Sequence, residues 1–175
     1  MSKPPRSPYP PDLAPGDEPA ATVEPDGLID VVAADLDWAN ERLQRLSAVR
    51  VELRHCRLTG AELAEATLTD TVFADCRLDL AGLRFARLER VVFRDCRMEE
   101  CDLYSASLKD VLFERCALRE ATFSGVKLER VELQGCDLAG VRGAEALRGA
   151  RMPWADVVEN AALFATALGV EIVGD

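Results

Sequence analysis

The chain has 175 residues, 49% of them apolar, and a formal net charge of −10. That length accommodates one domain with extensions and an ordinary buried core. The charge argues against direct binding to DNA, RNA or an anionic membrane, and no run approaches the roughly 18 apolar residues that a bilayer-spanning helix needs.

The first 25 residues lack an apolar signal segment, so the expectation is a soluble, cytoplasmic protein whose six cysteines are reduced thiols. Residues 49–148 carry eighteen acids and sixteen bases, whereas residues 1–48 carry nine and four, so the acidity sits mostly at the ends.

Residues 1–27 come first. Eight of the nine prolines fall within residues 1–25, and the segment cannot bury enough apolar surface to offset its ordering entropy. It reads as a disordered, proline-rich, acidic tail; the alternative is a ligand for a proline-recognising module. Residues 28–50 read as an N-terminal cap, with a short helix at 28–35 and a degenerate first coil at 36–50 that places Leu36 and Trp38 over Cys56 and Leu58.

From Val51 the chain reads in blocks of five: VELRH, CRLTG, AELAE, ATLTD, TVFAD, CRLDL and onward to CDLAG. The third place is Leu, Phe or Met in eighteen consecutive blocks, Leu53 to Leu138, and the first is always Val, Cys, Ala or Thr. A helix smears positions five apart around its surface, and a straight strand points them to opposite faces. A chain that turns a corner every five residues keeps both columns inside, because first and third places are two apart on a short extended segment. Cys56, Cys76, Cys96, Cys116 and Cys136 recur every twenty residues, as do Phe73, Phe93 and Phe113, so one coil has four sides. Five coils at about 4.8 Å make a stem roughly 24 Å long.

These blocks resemble the pentapeptide-repeat family, whose motif is loosely A-(D/N)-L-X-X, over about 90 residues. The resemblance implies an all-β solenoid, a right-handed quadrilateral parallel β-helix. A leucine-rich repeat is excluded by its L-x-x-L-x-L spacing. The repeat region is taken as 51–150 and a C-terminal capping helix with its tail as 151–175. In that helix Pro153 suits the first turn and Gly169 the exit. Trp154, Val157, Val158, Ala161, Phe164, Ala165 and Leu168 share one face and are expected to cover the open end of the stem. Leu163 points the other way, a candidate dimer contact.

Chemistry is sparse. Five of the cysteines form a ladder, but all six occupy the small inward place, where a thiol behaves as a small hydrophobe. There is no C-x-x-C and the single histidine, His55, is expected to face solvent. No catalytic, cofactor or metal residues are assigned, since nucleotide-binding, metalloprotease and hydrolase motifs are absent. The column Asp70, Arg90, Asp110, Arg130 alternates in sign and should pair between coils. Arg57, Arg77 and Arg97 form a like-charged column that Asp79 and Glu99 flank.

Outward apolar residues stand out. Val72, Val92 and Leu112 form a stripe, and Leu80, Phe85 and Tyr104 cluster elsewhere; both are candidate interaction surfaces. The function expected is a non-enzymatic protein-interaction or scaffold module, with an unknown protein or a second copy as partner and no cofactor. The alternative follows from the resemblance alone: quinolone-resistance relatives are dimeric rods that mimic DNA and bind gyrase. The outward charges here are mixed on every face, without the acidic surface that such mimicry needs.

Overall fold

A computed structural model describes residues 3–10 and 27–173. Six parallel strands stack in sequence order: β1 (Leu28–Ala34), β2 (Ser47–Arg54), β3 (Thr67–Ala74), β4 (Arg87–Arg94), β5 (Ser107–Glu114) and β6 (Lys127–Gln134). The register is twenty residues throughout, as in Phe73 beside Phe93 beside Phe113. Each 8-residue strand spans two blocks. The other two sides pair through single bridges, such as Arg57 to Arg77 to Arg97 and Glu62 to Gly82 to Asp102. Four lines of backbone hydrogen bonds therefore run along the stack, for example from the Arg77 amide to the Cys56 carbonyl at 2.9 Å. The chain is a four-sided β-solenoid of about five turns.

The corner has a single physical basis. Every fifth residue from Asp30 to Gly140 has a positive φ, close to +50° to +70°. One residue in the left-handed region turns the extended chain and resets which side points inward. Glycine fills this place at Gly60, Gly125, Gly135 and Gly140, and polar residues fill most of the others.

First- and third-place side chains fill the shaft. Phe73, Phe93 and Phe113 stack with centroids 4.9 and 5.1 Å apart and rings within 9° and 6° of parallel. Phe123 closes on Phe113 edge-on at 6.2 Å. The spacing is one strand separation, so ring stacking and backbone hydrogen bonding are satisfied by the same rise.

The N-terminal end differs from expectation. Residues 28–35 are not helical: β1 occupies Leu28–Ala34 and pairs in register with β2. The five-residue frame already holds there, with Ala33, Trp38, Leu43 and Ala48 buried at third places. In LSAVR the large and small residues trade places, Leu46 at the first and Ala48 at the third, so the shaft stays filled while the pattern looks broken.

The tail expected to be disordered also differs in its described part. Residues 3–10 lie against the stack, where the Arg6 amide donates to Asp110 Oδ1 and the Tyr9 amide to Asp70 Oδ1, both at 3.1 Å. Proline restricts φ before docking, which lowers the entropy lost on ordering. The remainder of that tail, residues 1–2 and 11–26, lies outside the described residues.

At the C-terminal end a single 3₁₀ turn (Ala144–Leu147) interrupts the repeat. Gly143 precedes it at φ +75°, and a β-carbon there would stand 2.4 Å from the Ser124 amide nitrogen. Only glycine fits both constraints. Arg151 then adds a last rung on Glu132, and its carbonyl accepts the Leu133 amide at 2.9 Å.

The expected capping helix is two short helices, α1 (Trp154–Glu159) and α2 (Ala161–Ala167), broken at Asn160. The break invalidates a continuous helical wheel. Leu163, Phe164 and Ala167 pack against the end of the core. Trp154, Val158 and Leu168 face solvent instead. Leu163, read as pointing away from the stem, is thus on the inner side. No helix among the described residues is long and apolar enough to cross a membrane.

Candidate functional site

The cysteines are core. All six are buried free thiols, and Cys76, Cys96, Cys116 and Cys136 each donate to a carbonyl of the preceding coil at 3.4, 3.4, 3.3 and 3.4 Å. Hydrogen bonding between neighbouring rungs would draw Cys76 and Cys116 down while pushing Cys96 up. A thiolate in this shaft would have no counter-ion, so burial decides and the ladder stays protonated. Burial, reinforced by the nearby Asp102 and Asp79 carboxylates, pushes the Cys101 thiol well above its ordinary value. Among the described residues no group of His, Cys, Asp and Glu could hold a metal ion.

The alternating column pairs as its charges require. Arg50 grips Asp30, Arg90 grips Asp70 and Arg130 grips Asp110, each through two nitrogens to two oxygens. Asp70 and Asp110 are outward residues by phase, yet both are buried. The Arg130 guanidinium holds the Asp110 carboxyl below the usual range, aided by the Arg6 amide. Burial pushes Asp70 up, but Arg90 and the Tyr9 amide outweigh it and the net shift is down. In the arginine column, Arg57 lies 3.4 Å from Asp37 and Arg97 lies 3.6 Å from Asp79.

The two apolar candidates part company. Val72, Val92 and Leu112 are register neighbours, but Val92 is only 8% exposed and the other two are half-buried. This stripe is a covered column rather than an open patch. Leu80 and Phe85, by contrast, are 58% and 52% exposed, and Tyr104 is 39% exposed. The rings of Phe85 and Tyr104 meet edge-on at 5.7 Å. The Arg84 guanidinium lies 4.9 Å from the centre of the Tyr104 ring and 3.5 Å from Asp102. Asp102 also accepts the Tyr104 amide at 2.9 Å, which fixes the backbone under the ring.

Leu80 and Phe85 are both corner residues, at φ +60° and +59°. A bulky apolar residue in that conformation is disfavoured by about 1 kcal/mol or more relative to glycine or asparagine. The sequence marks the two as outward and apolar, and its period implies a corner in every block; that the fifth residue takes the left-handed conformation, so that Leu80 and Phe85 carry the strain, is visible only in the structure.

At the C-terminal end, a groove of about 240 Å³ is lined by Leu147, Phe164, Ala167 and Leu168 together with Glu145 and Arg148. Those groups form no nucleophile–base pair. His55 is exposed on the opposite part of the stem, 3.9 Å from Asp75.

The family model for the pentapeptide repeat region matches residues 46–123 and 79–142, together more than half of the chain. A pentapeptide repeat protein from the Arabidopsis thaliana thylakoid lumen is 23% identical, with 54% of this chain and 68% of that one covered and a TM-score of 0.51. QnrB1, a plasmid-mediated fluoroquinolone resistance protein, is 13% identical over 78% of this chain and 99% of its own, with a TM-score of 0.46. No curated protein matches. The five-residue corners, the square cross-section and the matched region together make this chain a member of the pentapeptide-repeat family.

Proposed function

We propose that the protein is a non-enzymatic interaction module, a rigid stem that binds a protein partner through Leu80, Phe85 and Tyr104. The observation that carries this reading is the pairing of two penalties at one place. Leu80 and Phe85 are large apolar side chains left in water, and both occupy corners where glycine or a polar residue is the relaxed choice. Phe85 and Tyr104 already hold each other in an edge-on pair, so little side-chain freedom remains to be lost on binding. Aromatic anchors beside an arginine fit the composition of binding hot spots.

The test compares capture of a partner from the source cells by the intact chain and by a Phe85→Ser, Tyr104→Ser variant. Loss of a specific partner with a thermal midpoint no lower than that of the natural chain supports the reading; equal capture removes the patch from consideration.

A second contact has its own support. Trp154 and Leu168 are about three-quarters exposed in the C-terminal segment, where Val170, Ile172 and Val173 are exposed as well. Self-association through this end would cover them, with Leu163 behind the contact rather than in it. The gyrase-directed alternative has less support. Asp30, Asp70 and Asp110 are each neutralised by an arginine, so among the described residues this column presents no row of free negative charge spaced like phosphates. A supercoiling assay with purified gyrase and a quinolone decides it, and protection by this chain at micromolar concentration would revive it.

A further inference from the structure

The side of the stem that carries the Asp70–Arg90–Asp110–Arg130 column is already occupied, and by a segment with its own periodicity. In KPPRSPYP, residues 3–10, Pro5 and Pro8 are half-buried while Lys3, Pro4, Arg6, Ser7, Tyr9 and Pro10 are exposed. One residue in three turned to the stem is the signature of a polyproline II strand, which has three residues per turn. The amides that follow those two prolines, on Arg6 and Tyr9, donate to Asp110 and Asp70.

The two spacings agree. Arg6 and Tyr9 are three residues apart, about 9.3 Å in a polyproline II strand. Asp110 and Asp70 are two coils apart, about 9.6 Å at the inter-strand distance. The segment therefore runs along the stem axis, crossing the coils, and meets a carboxylate at every second rung. The arginine on the rung between, Arg90, lies 5.8 Å from the centre of the Tyr9 ring. The carboxylates themselves are fixed by two-point grips from Arg90 and Arg130, so the acceptors are in place before the segment arrives. Two residues further along the same strands run Val72, Val92 and Leu112, an apolar strip beside the acceptors.

We propose that this side of the stem is a binding site for extended P-x-x-P peptides, filled in cis by residues 3–10. The ligand it recognises has a proline at every third place and, directly after each, a residue with a free backbone amide; an aromatic side chain after the second proline stacks on Arg90. Proline itself cannot occupy those following places, because it has no amide to donate. A tethered segment competes at an effective concentration of millimolar order, so a peptide in trans binds weakly until the cis segment is displaced. The site is separate from the Leu80–Phe85–Tyr104 surface and does not depend on it.

The test keeps the full chain and shifts only the register, by inserting one glycine between Ser7 and Pro8. Amide exchange at Arg6 and Tyr9 is followed by NMR, and a fluorescein-labelled synthetic peptide of residues 1–10 is titrated by anisotropy. In the natural chain both amides should exchange at least about tenfold more slowly than in the free peptide, and in the insertion variant Tyr9 should lose that protection. The labelled peptide should bind the insertion variant at least about tenfold more tightly than the natural chain. An unlabelled peptide carrying the same glycine should fail to compete. Exchange at the free-peptide rate in the natural chain overturns the proposal. So does equal binding to both chains, or no binding to the insertion variant.

Discussion

Two sides of one stem share the same interior and differ in everything outside it. The pair of adjoining sides built from β3, β4 and β5 has long strands, carboxylates locked by arginines at the shared corner and a proline-rich segment laid over them. The side around Gly82 and Asp102 is joined by single bridges and leaves Leu80, Phe85 and Tyr104 in water. The five-residue rule dictates the first and third places and is indifferent to the second and fourth. A solenoid of this kind can therefore carry unrelated surfaces around one core, and departures from the relaxed choice at an outer place are informative because the fold does not require them.

The comparison can be broken most severely from within. Phe93→Ala empties the middle of the ring stack and should cost about 3–5 kcal/mol in chemical denaturation. A loss below about 1 kcal/mol would show that the two sides do not share one packed shaft.

The next effect belongs to the covered side. Asp110→Asn removes the partner of Arg130 at a buried place and should cost about 1–3 kcal/mol at neutral pH. Asp70 and Asp110 both titrate below their ordinary range, so their contribution is fully present above about pH 4 and is lost as pH falls through the lowered values. Stability measured from pH 6 down to pH 2 should fall less steeply in the Asn variant than in the natural chain.

The bare side should respond with the opposite sign. Leu80→Asn and Phe85→Asn relieve a strained corner and should each stabilise the chain by about 0.5–1 kcal/mol while weakening partner capture. A destabilisation would mean that the two side chains serve the fold and not a contact. The smallest effect is at the C-terminal end, where Trp154→Glu should move stability by under about 0.5 kcal/mol. Light scattering should then report a smaller mass if that end mediates self-association.

The period, the four-sided coil and the stacked Phe73, Phe93 and Phe113 were all legible in the residues, because burial imposes a strict choice at every fifth position. The first strand was not. Ala33 and Ala48 stand where Leu or Phe is expected, and a pattern read by residue size misses a frame that exchanges size between neighbouring places. The orientation of α1 and α2 was hidden for a different reason, since one irregular residue, Asn160, breaks the angular sum on which a helical wheel depends. The docked proline segment lay furthest from view. Its partners, Asp70 and Asp110, are more than sixty residues away in sequence, and no local pattern joins two spacings that match only in space.

The unbroken series of left-handed corners from Asp30 to Gly140 makes length a quantised property of this molecule. Adding or removing twenty residues at corresponding points changes the stem by one storey, about 4.8 Å, and leaves every neighbour facing its accustomed counterpart. A single inserted residue has no such refuge: it turns inside to outside for every block until the next corner absorbs it. Between Asp30 and Gly140 growth and shrinkage are thus confined to whole storeys, and only past the last of these corners does a step of nineteen residues, Glu132 to Arg151, still close a rung.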